Sequence, residues 1–150
     1  MYIKDGFEYC ERPDICINVD GEFESLFIEI KSVEHNIIMG EIYRIPDTNE
    51  KLSIARFNNI LEKLNTEKCD QILATAQKVD FAKVNTHTNT SDLFDIFYSR
   101  NFNPTIIKPT RITHSSATII DNIYVKDNNT FKMISGILTY NISDHLPKKK

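Results

Sequence analysis

Isoleucine is the feature of this sequence that most restricts its fold. The 150-residue chain holds 22 Ile, against 8 Leu and 5 Ala. β-branched side chains suit the pleated, half-buried surface of a sheet better than a helix, so this excess predicts that sheet dominates. Ile, Val, Leu and Phe together make up 44 residues, a larger share than disordered chains carry. We therefore expect a folded domain built around a sheet.

Alternating apolar residues predict the strands of this sheet. The first two predicted strands are separated by a short polar turn, which indicates a hairpin. The region before them, residues 1–19, is expected to add one or two shorter strands that are broken by Pro13. The predicted strands cover residues 25–31, 37–44, 70–75, 117–125 and 133–138.

Helical spacing predicts two helices between these strands. Asp47 is the expected N-cap of the first helix, with Glu50 as the returning partner of a capping box. Four apolar side chains then recur at i, i+3, i+4 and i+7, which places them on one core-facing stripe. They are Phe57, Ile60, Leu61 and Leu64.

A second, shorter helix is predicted over residues 91–98, and we expect it to bury Leu93, Phe94 and Phe97. Strands and helices alternate irregularly along the chain. The fold class is therefore α/β or α+β, with helices packed on sheet faces.

Charge is distributed unevenly along the chain. The net charge is −3, but residues 1–75 carry −7 and residues 76–150 carry +4. The second half could therefore bind a phosphate-bearing ligand. Three of its positive charges, however, belong to the terminal run 148–150, which we interpret as a solvated basic tail.

Several classes of protein do not fit the sequence. No apolar run approaches the roughly 20 residues of a membrane span, so we expect no membrane crossing. The first residues lack the features of a signal peptide, so an intracellular location, nuclear or cytoplasmic, is expected. The three cysteines, Cys10, Cys16 and Cys69, form no C-x-x-C pair and are expected to be reduced. The histidines are not spaced as zinc ligands usually are, so we expect no zinc site.

An ordered set of motifs carries the functional information. Near the C-terminal end stands Ser143-Asp144-His145, and upstream of it lie the segments 116–123, Ser-Ala-Thr-Ile-Ile-Asp-Asn-Ile, and 108–114, Lys-Pro-Thr-Arg-Ile-Thr-His. A predicted strand further upstream ends in Tyr43-Arg44-Ile45-Pro46. In this order and spacing, the segments resemble the endonuclease/exonuclease/phosphatase family. Within that family they resemble the endonuclease domain that non-long-terminal-repeat retrotransposons carry beside their reverse transcriptase.

The resemblance implies a four-layer α/β/β/α sandwich and Mg²⁺-dependent hydrolysis of a DNA phosphodiester by an activated water. His145 matches the catalytic histidine, and Asp121 matches the carboxylate that orients it. Asp144 matches a carboxylate of the metal site, and Tyr43 matches a tyrosine near the scissile phosphate. Arg111 lies in a loop that approaches DNA in such nucleases.

The sequence also departs from the family pattern. The family has an Asp and an Asn after its middle strand, which contact the attacking water and the phosphate; here Ala76 and Lys78 stand in those places. The family's opening strands, with their Asn and metal-binding Glu, have no counterpart. We therefore expect a partial sandwich over residues 1–147, followed by the basic tail.

These departures predict a truncated and degenerate endonuclease domain that does not cleave DNA. Two alternatives stay open. One is an active nuclease whose missing ligands come from another chain or from an unrecorded upstream exon. The other is a non-catalytic module that binds nucleic acid through the basic second half, because phosphate contacts need only well-placed Lys and Arg.

Overall fold

The computed structural model describes Met1, residues 3–126 and Gly136. Two α-helices, one 3₁₀ turn (Phe81–Lys83) and eight strands make up this part of the chain. The helices are α1 (Glu50–Asn65) and α2 (Thr88–Tyr98). The strands are β1 (Tyr9–Glu11), β2 (Phe23–Ile30), β3 (Ile37–Arg44), β4 (Asp70–Ala76), β5 (Asn103–Pro104), β6 (Arg111–Ile112), β7 (Ala117–Thr118) and β8 (Asp121–Lys126).

Six of these strands form one sheet in the order β1-β2-β3-β4-β8-β5. Strands β2 and β3 are the predicted hairpin and pair in register over their whole length. Only β3 and β4 pair in parallel, and α1 supplies the crossover that a parallel pair requires. Strands β6 and β7 form a separate two-stranded hairpin between β5 and β8.

One face of the sheet is covered by both helices. The apolar stripe predicted for α1 is buried, with Phe57, Ile60, Leu61 and Leu64 no more than 1% exposed. These side chains pack with sheet residues in a single core, in which Phe23 meets Phe57 edge to face at a centroid distance of 5.2 Å. Helix α2 contributes Phe97, which stacks on Tyr124 of β8 at 3.9 Å.

The opposite face of the sheet carries no helix among the described residues. Because side chains alternate along a strand, each strand sends every second residue to this side. The strand pairing aligns those residues in rows across β2, β3, β4 and β8. The first row is Glu24, Tyr43, Ala76 and Asp121, the second is Leu26, Glu41, Ala74 and Ile123, and the third is Ile28, Met39, Ile72 and Val125. We call these three rows the open face.

Three predictions about element boundaries were wrong. The N-cap of α1 is Asn49, whose side chain accepts a hydrogen bond from Leu52 N at 3.2 Å, whereas Asp47 adopts a positive φ of 63° two residues before it. Since Glu50 is the first residue of the helix, it cannot close a capping box; its Oε2 instead accepts a hydrogen bond from Asn89 at 2.7 Å.

Helix α2 begins at Thr88, three residues earlier than predicted. Its Leu93 and Phe97 are buried as expected, but Phe94 is only half-buried and packs between Phe81 and Tyr98.

The predicted strand 117–125 is two strands, β7 and β8, which belong to different sheets and are separated by residues 119 and 120. The predicted strand 133–138 lies outside the described residues apart from Gly136. None of the described helices has the length and apolar character that crossing a membrane would require.

Candidate functional site

Three of the residues singled out from the sequence lie in one row of the sheet. Tyr43 of β3 pairs with Ala76 of β4, and Ala76 pairs with Asp121 of β8. Neighbouring strands are about 4.8 Å apart, so Tyr43 and Asp121 flank Ala76 within about 10 Å of each other. The fold therefore brings together residues that are up to 78 positions apart in the chain.

This row lines a depression of about 520 Å³ on the open face. Three carboxylate side chains, Glu24, Glu41 and Asp121, contribute to its walls, and Tyr43 stands among them with 37% of its surface exposed. Gly136 lines the same depression, so the chain returns to this face after β8. The sequence motifs single out neither Glu24 nor Glu41, although period-two alternation from Tyr43 together with the hairpin register places both on this face.

Ala76 occupies the centre of the row, between the tyrosine and the aspartate. A methyl group neither donates nor accepts a hydrogen bond, so it cannot order a water molecule. Lys78 does not line this depression. It adopts a positive φ of 54° and lines a separate depression of about 290 Å³ with Arg44, Asp47 and three other residues.

A buried polar network fixes the backbone that follows Ala76. Arg44 is only 4% exposed, and it donates to the carbonyl oxygens of Gln77 at 3.4 Å and Thr48 at 2.6 Å. The side-chain oxygen of Gln77 accepts hydrogen bonds from Thr75 at 2.8 Å and from Tyr124 at 3.3 Å. Burial raises the pKa of Tyr124 well above its usual value, so its hydroxyl keeps the proton that it donates to Gln77.

Sequence reasoning missed the roles of Arg44 and Gln77. Arg44 follows Tyr43 and therefore points to the opposite, helix-covered face, where a charged residue is unusual. That alternation is the signal that could have identified it.

Arg111 lies in the β6–β7 hairpin and is exposed. The hairpin is anchored next to the row, because Thr110 Oγ1 accepts hydrogen bonds from the backbone N–H groups of Ile120 at 3.2 Å and Asp121 at 3.3 Å. The stretch 96–120 contains no Asp or Glu, while Lys108, Arg111 and His114 are all exposed. Positively charged side chains at and just before the β6–β7 hairpin therefore lie next to the acidic depression.

Comparison with solved structures identifies the fold. The endonuclease domain of TRAS1, a telomere-specific non-LTR retrotransposon, superposes with a TM-score of 0.63 at 10% sequence identity, covering 83% of this chain and 58% of that domain. A humanized D. rerio TDP2 superposes with a TM-score of 0.59 at 11% identity, covering 84% of this chain and 54% of that protein. The chain has the fold of these two proteins, the endonuclease/exonuclease/phosphatase fold. This confirms the fold that the sequence resemblance implies.

The chain spans a little more than half the length of these two proteins of the endonuclease/exonuclease/phosphatase fold. No protein-family model matches the sequence, and no curated protein matches it either. The likeness is therefore one of fold.

Two residues assigned from the endonuclease/exonuclease/phosphatase resemblance, Asp144 and His145, lie outside the described residues. Carboxylate oxygens are suitable ligands for Mg²⁺. Within residues 3–126, however, no three His, Cys, Asp or Glu side chains are grouped closely enough to hold a metal ion. The carboxylates of the open face thus have the right chemistry for Mg²⁺ but do not converge on one point.

Proposed function

We propose that this chain is a DNA endonuclease domain of the retrotransposon type whose hydrolytic site is degenerate. The observation that carries the proposal is the position of Ala76 between Tyr43 and Asp121. The tyrosine and the aspartate, to which the resemblance assigns roles, flank Ala76 in this row. The methyl group of Ala76 can neither donate nor accept a hydrogen bond and therefore cannot position an attacking water.

Electrostatics supports the same proposal. A phosphodiester entering the depression would meet Glu24, Asp121 and Glu41, of which Glu41 is paired with the N-terminal amine at 3.4 Å. Like charges repel unless a cation lies between them, and the described carboxylates do not converge to hold one. Loss of one well-placed acid–base group lowers a rate by roughly 10²–10⁴-fold, so the substitution at position 76 alone predicts a severe defect.

Nicking of supercoiled DNA in the presence of Mg²⁺ tests this proposal. We expect no nicking by the unmodified chain, and none after Ala76→Asp combined with Lys78→Asn, because the carboxylates of the described residues do not group closely enough to hold a metal ion. Ala74→Asp combined with Lys78→Asn makes the same change of net charge one row away and serves as the matched control.

The decisive contrary result is nicking by the unmodified chain that His145→Ala abolishes. It would show that the missing ligands are supplied by residues that the resemblance does not identify. Nicking that appears with Ala76→Asp and Lys78→Asn, but not with Ala74→Asp and Lys78→Asn, would show instead that the residue at position 76 was the decisive defect.

A second candidate function is binding of nucleic acid without cleavage. The cationic β6–β7 hairpin favours it, because Lys108 and Arg111 are exposed within a stretch that has no acidic residue. Contacts of this kind bind phosphates without regard to base sequence and weaken as salt rises, since each contact releases a counterion.

Fluorescence anisotropy with a labelled DNA duplex at several salt concentrations tests this second function. We expect Arg111→Gln to weaken binding and to reduce the slope of log K against log salt by about 1. Lys51→Gln, on the exposed side of α1, removes the same charge far from the hairpin and should change little. Equal effects of the two substitutions would argue against the hairpin as the binding surface.

A further inference from the structure

A second depression lies at the end of the sheet, apart from the candidate site. It is formed by the segment that joins β3 to α1 and by Lys78, just after β4. None of its lining residues belongs to the depression of the open face. Its volume of about 290 Å³ is close to the lower limit of about 300–1,000 Å³ for small-molecule sites, so it suits a small ligand. It is lined by Arg44, Pro46, Asp47, Thr48, Glu50 and Lys78.

A buried guanidinium group contributes to this depression. The side chain of Arg44 is only 5% exposed, and its Nε–H has no hydrogen-bond acceptor within the described residues. Its Nη2 donates to the carbonyl oxygen of Thr48 at 2.6 Å and lies 4.0 Å from Glu50 Oε1. A buried donor without an acceptor costs about 1–3 kcal/mol. An anion in the depression would offer the positive charge of Arg44 the compensation that it lacks.

The N-terminal end of α1 borders the same depression, because Thr48 and Glu50 line it. Two donors of the first turn are already used, since Leu52 N donates to the Asn49 side chain and Ser53 N donates to the Asn49 carbonyl oxygen. The N–H groups of residues 50 and 51 have no partner inside the helix. Aligned peptide dipoles place about half a positive charge at such an end, which favours the binding of an anion.

Helix α2 adds to the positive potential at this end. Asn89, in its first turn, donates to Glu50 Oε2 at 2.7 Å. Arg100, just after α2, donates to Asn58 of α1 at 2.8 Å. The two helices therefore run in the same direction, and their N-termini lie side by side. Both positive dipole ends are thus on the side of the molecule where Arg44 meets Glu50.

The charged side chains around the depression are not equally available to a ligand. Glu50 is engaged by Arg44 and by Asn89. Lys78 is half-buried, and its ammonium group forms no ion pair with a described residue. Asp47 is exposed and likewise forms no ion pair within the described part of the chain. The charge of Lys78 is therefore available to an anion, while Asp47 opposes one.

We propose that this depression binds the phosphate group of inorganic phosphate or of a small phosphate monoester. Lys78 and the free N–H groups at the start of α1 donate to the phosphate oxygens, and Arg44 supplies a buried positive charge behind them. Charge-assisted hydrogen bonds of this kind are about twice as strong as neutral ones. The inference does not depend on the proposed function, because it uses none of Tyr43, Ala76 and Asp121.

Titration of the isotope-labelled full chain with inorganic phosphate, followed by NMR of the backbone amides, tests the proposal. The ionic strength is held constant with sodium chloride, so that general screening does not change. We expect saturable shifts of the amide signals of Glu50 and Lys51, because these groups donate to the bound phosphate. The amides of the β6–β7 hairpin should shift little.

Two charge substitutions near the depression should have opposite effects on the Kd. Lys78→Gln removes a donor to the phosphate and should raise the Kd about tenfold, the equivalent of one charge-assisted hydrogen bond. Asp47→Asn removes the opposing carboxylate and should lower the Kd about two- to fivefold. Lys108→Gln removes the same charge as Lys78→Gln, but just before the β6–β7 hairpin, and should leave the Kd unchanged. Circular dichroism checks that each variant is folded.

A pair of esters distinguishes the source of the phosphate group. Phenyl phosphate is a monoester that carries about two negative charges at neutral pH, whereas dimethyl phosphate is a singly charged diester like the DNA backbone. We expect phenyl phosphate to bind about tenfold more tightly, because it offers more charge and more unesterified oxygens.

Three results would overturn the proposal. The first is amide shifts that grow with phosphate without saturating, which would indicate a general ionic effect. The second is an equal effect of Lys78→Gln and Lys108→Gln on the Kd, which would mean that Lys78 does not hold the ligand. The third is equal affinity for phenyl phosphate and dimethyl phosphate, which would assign the depression to backbone phosphates of nucleic acid.

Discussion

At the scale of single residues, close packing decides which substitutions the sheet can accept. Gly40 lies in the middle of β3 and faces the helices, where the ring of Phe27 crosses over it. A Cβ at this position would overlap the Phe27 ring and approach Leu73 Cδ2 to 2.9 Å. Glycine usually weakens a strand, so its presence here is explained by the space that Phe27 fills.

This packing predicts that Gly40→Ala destabilises the protein. Overpacking of a well-filled core typically costs about 1–3 kcal/mol, and the aromatic ring has no flexible end that could move away. The loss should appear as a lower urea midpoint with an unchanged slope. Phe27→Leu alone serves as the control, and the combination with Gly40→Ala should be more stable than the sum of the two effects predicts. Strict additivity would show that Phe27 is not the obstacle.

At the scale of elements, one arginine ties the first strands to the first helix. Arg12, at the end of β1, donates to Asp14, to Glu29 of β2 at 3.2 Å and to Glu67 just after α1. The hydrogen bonds that Arg12 donates to Asp14 lower the pKa of that carboxyl group. The pKa of Glu29 is also lowered, mainly by a hydrogen bond from Lys31, with smaller contributions from Asn36 and from the positive charge of Arg12. The cluster therefore joins β1 and β2 to the segment just after α1, next to the contact in which Lys63 of α1 donates to the carbonyl oxygen of Asp14 at 2.8 Å.

These pKa shifts predict a pH-dependent contribution to stability. Carboxyl groups with a depressed pKa stabilise the folded state above their unfolded pKa of about 4, and this stabilisation is lost as the pH falls through the folded value. Arg12→Met should lower the free energy of unfolding at pH 7 by about 1–2 kcal/mol, because hydrogen bonds between charged groups are lost. This range is kept small because Asp14 is exposed and solvent weakens its interaction with Arg12. At pH 3 the difference should be smaller.

Urea denaturation at the two pH values measures this effect. Arg100→Met is the matched control, because Arg100 is about as exposed as Arg12 (18% against 17%) but pairs with Glu62, which is 61% exposed. If Arg12→Met destabilises the protein equally at pH 7 and pH 3, its effect comes from lost packing and not from the carboxylates.

At the scale of the whole molecule, the sheet separates the residues of the core from those of the candidate site. Consecutive residues of β3 serve different purposes: Ile42 is fully buried against the helices, whereas Tyr43 belongs to the candidate site. The helix-covered face provides the core, and the open face carries Tyr43, Ala76 and Asp121, three of the positions that the resemblance singles out.

This division predicts opposite results for two neighbouring substitutions. Ile42→Ala should lower the free energy of unfolding by about 2–5 kcal/mol, because it leaves a cavity in a close-packed core. Tyr43→Ala should cost less than about 1 kcal/mol, because its side chain is partly exposed. Urea unfolding of both variants measures the contrast, and a large loss with Tyr43→Ala would mean that the open face is more deeply covered than the described residues account for.

Local pattern determined much of this fold. The alternation of apolar residues predicted the hairpin β2–β3, and helical spacing predicted the buried stripe of α1, because each depends on side chains a few positions apart. The ordered motifs pointed to the endonuclease/exonuclease/phosphatase fold and singled out Tyr43, Ala76 and Asp121. The cap at Asn49 was missed because several polar residues before the helix could serve, and backbone geometry selects among them.

Only the tertiary structure decided which of these residues meet. The row Tyr43–Ala76–Asp121 exists because β4 pairs in parallel with β3 and antiparallel with β8 in one particular register. A shift of one residue would turn each side chain to the other face, and nothing within a single strand specifies its partner's register. Contacts between segments that are distant in the sequence also decide three further features. They are the burial of Arg44, the placement of Lys78 and Asp121 in separate depressions, and the grouping of Glu24, Glu41 and Asp121 on one face.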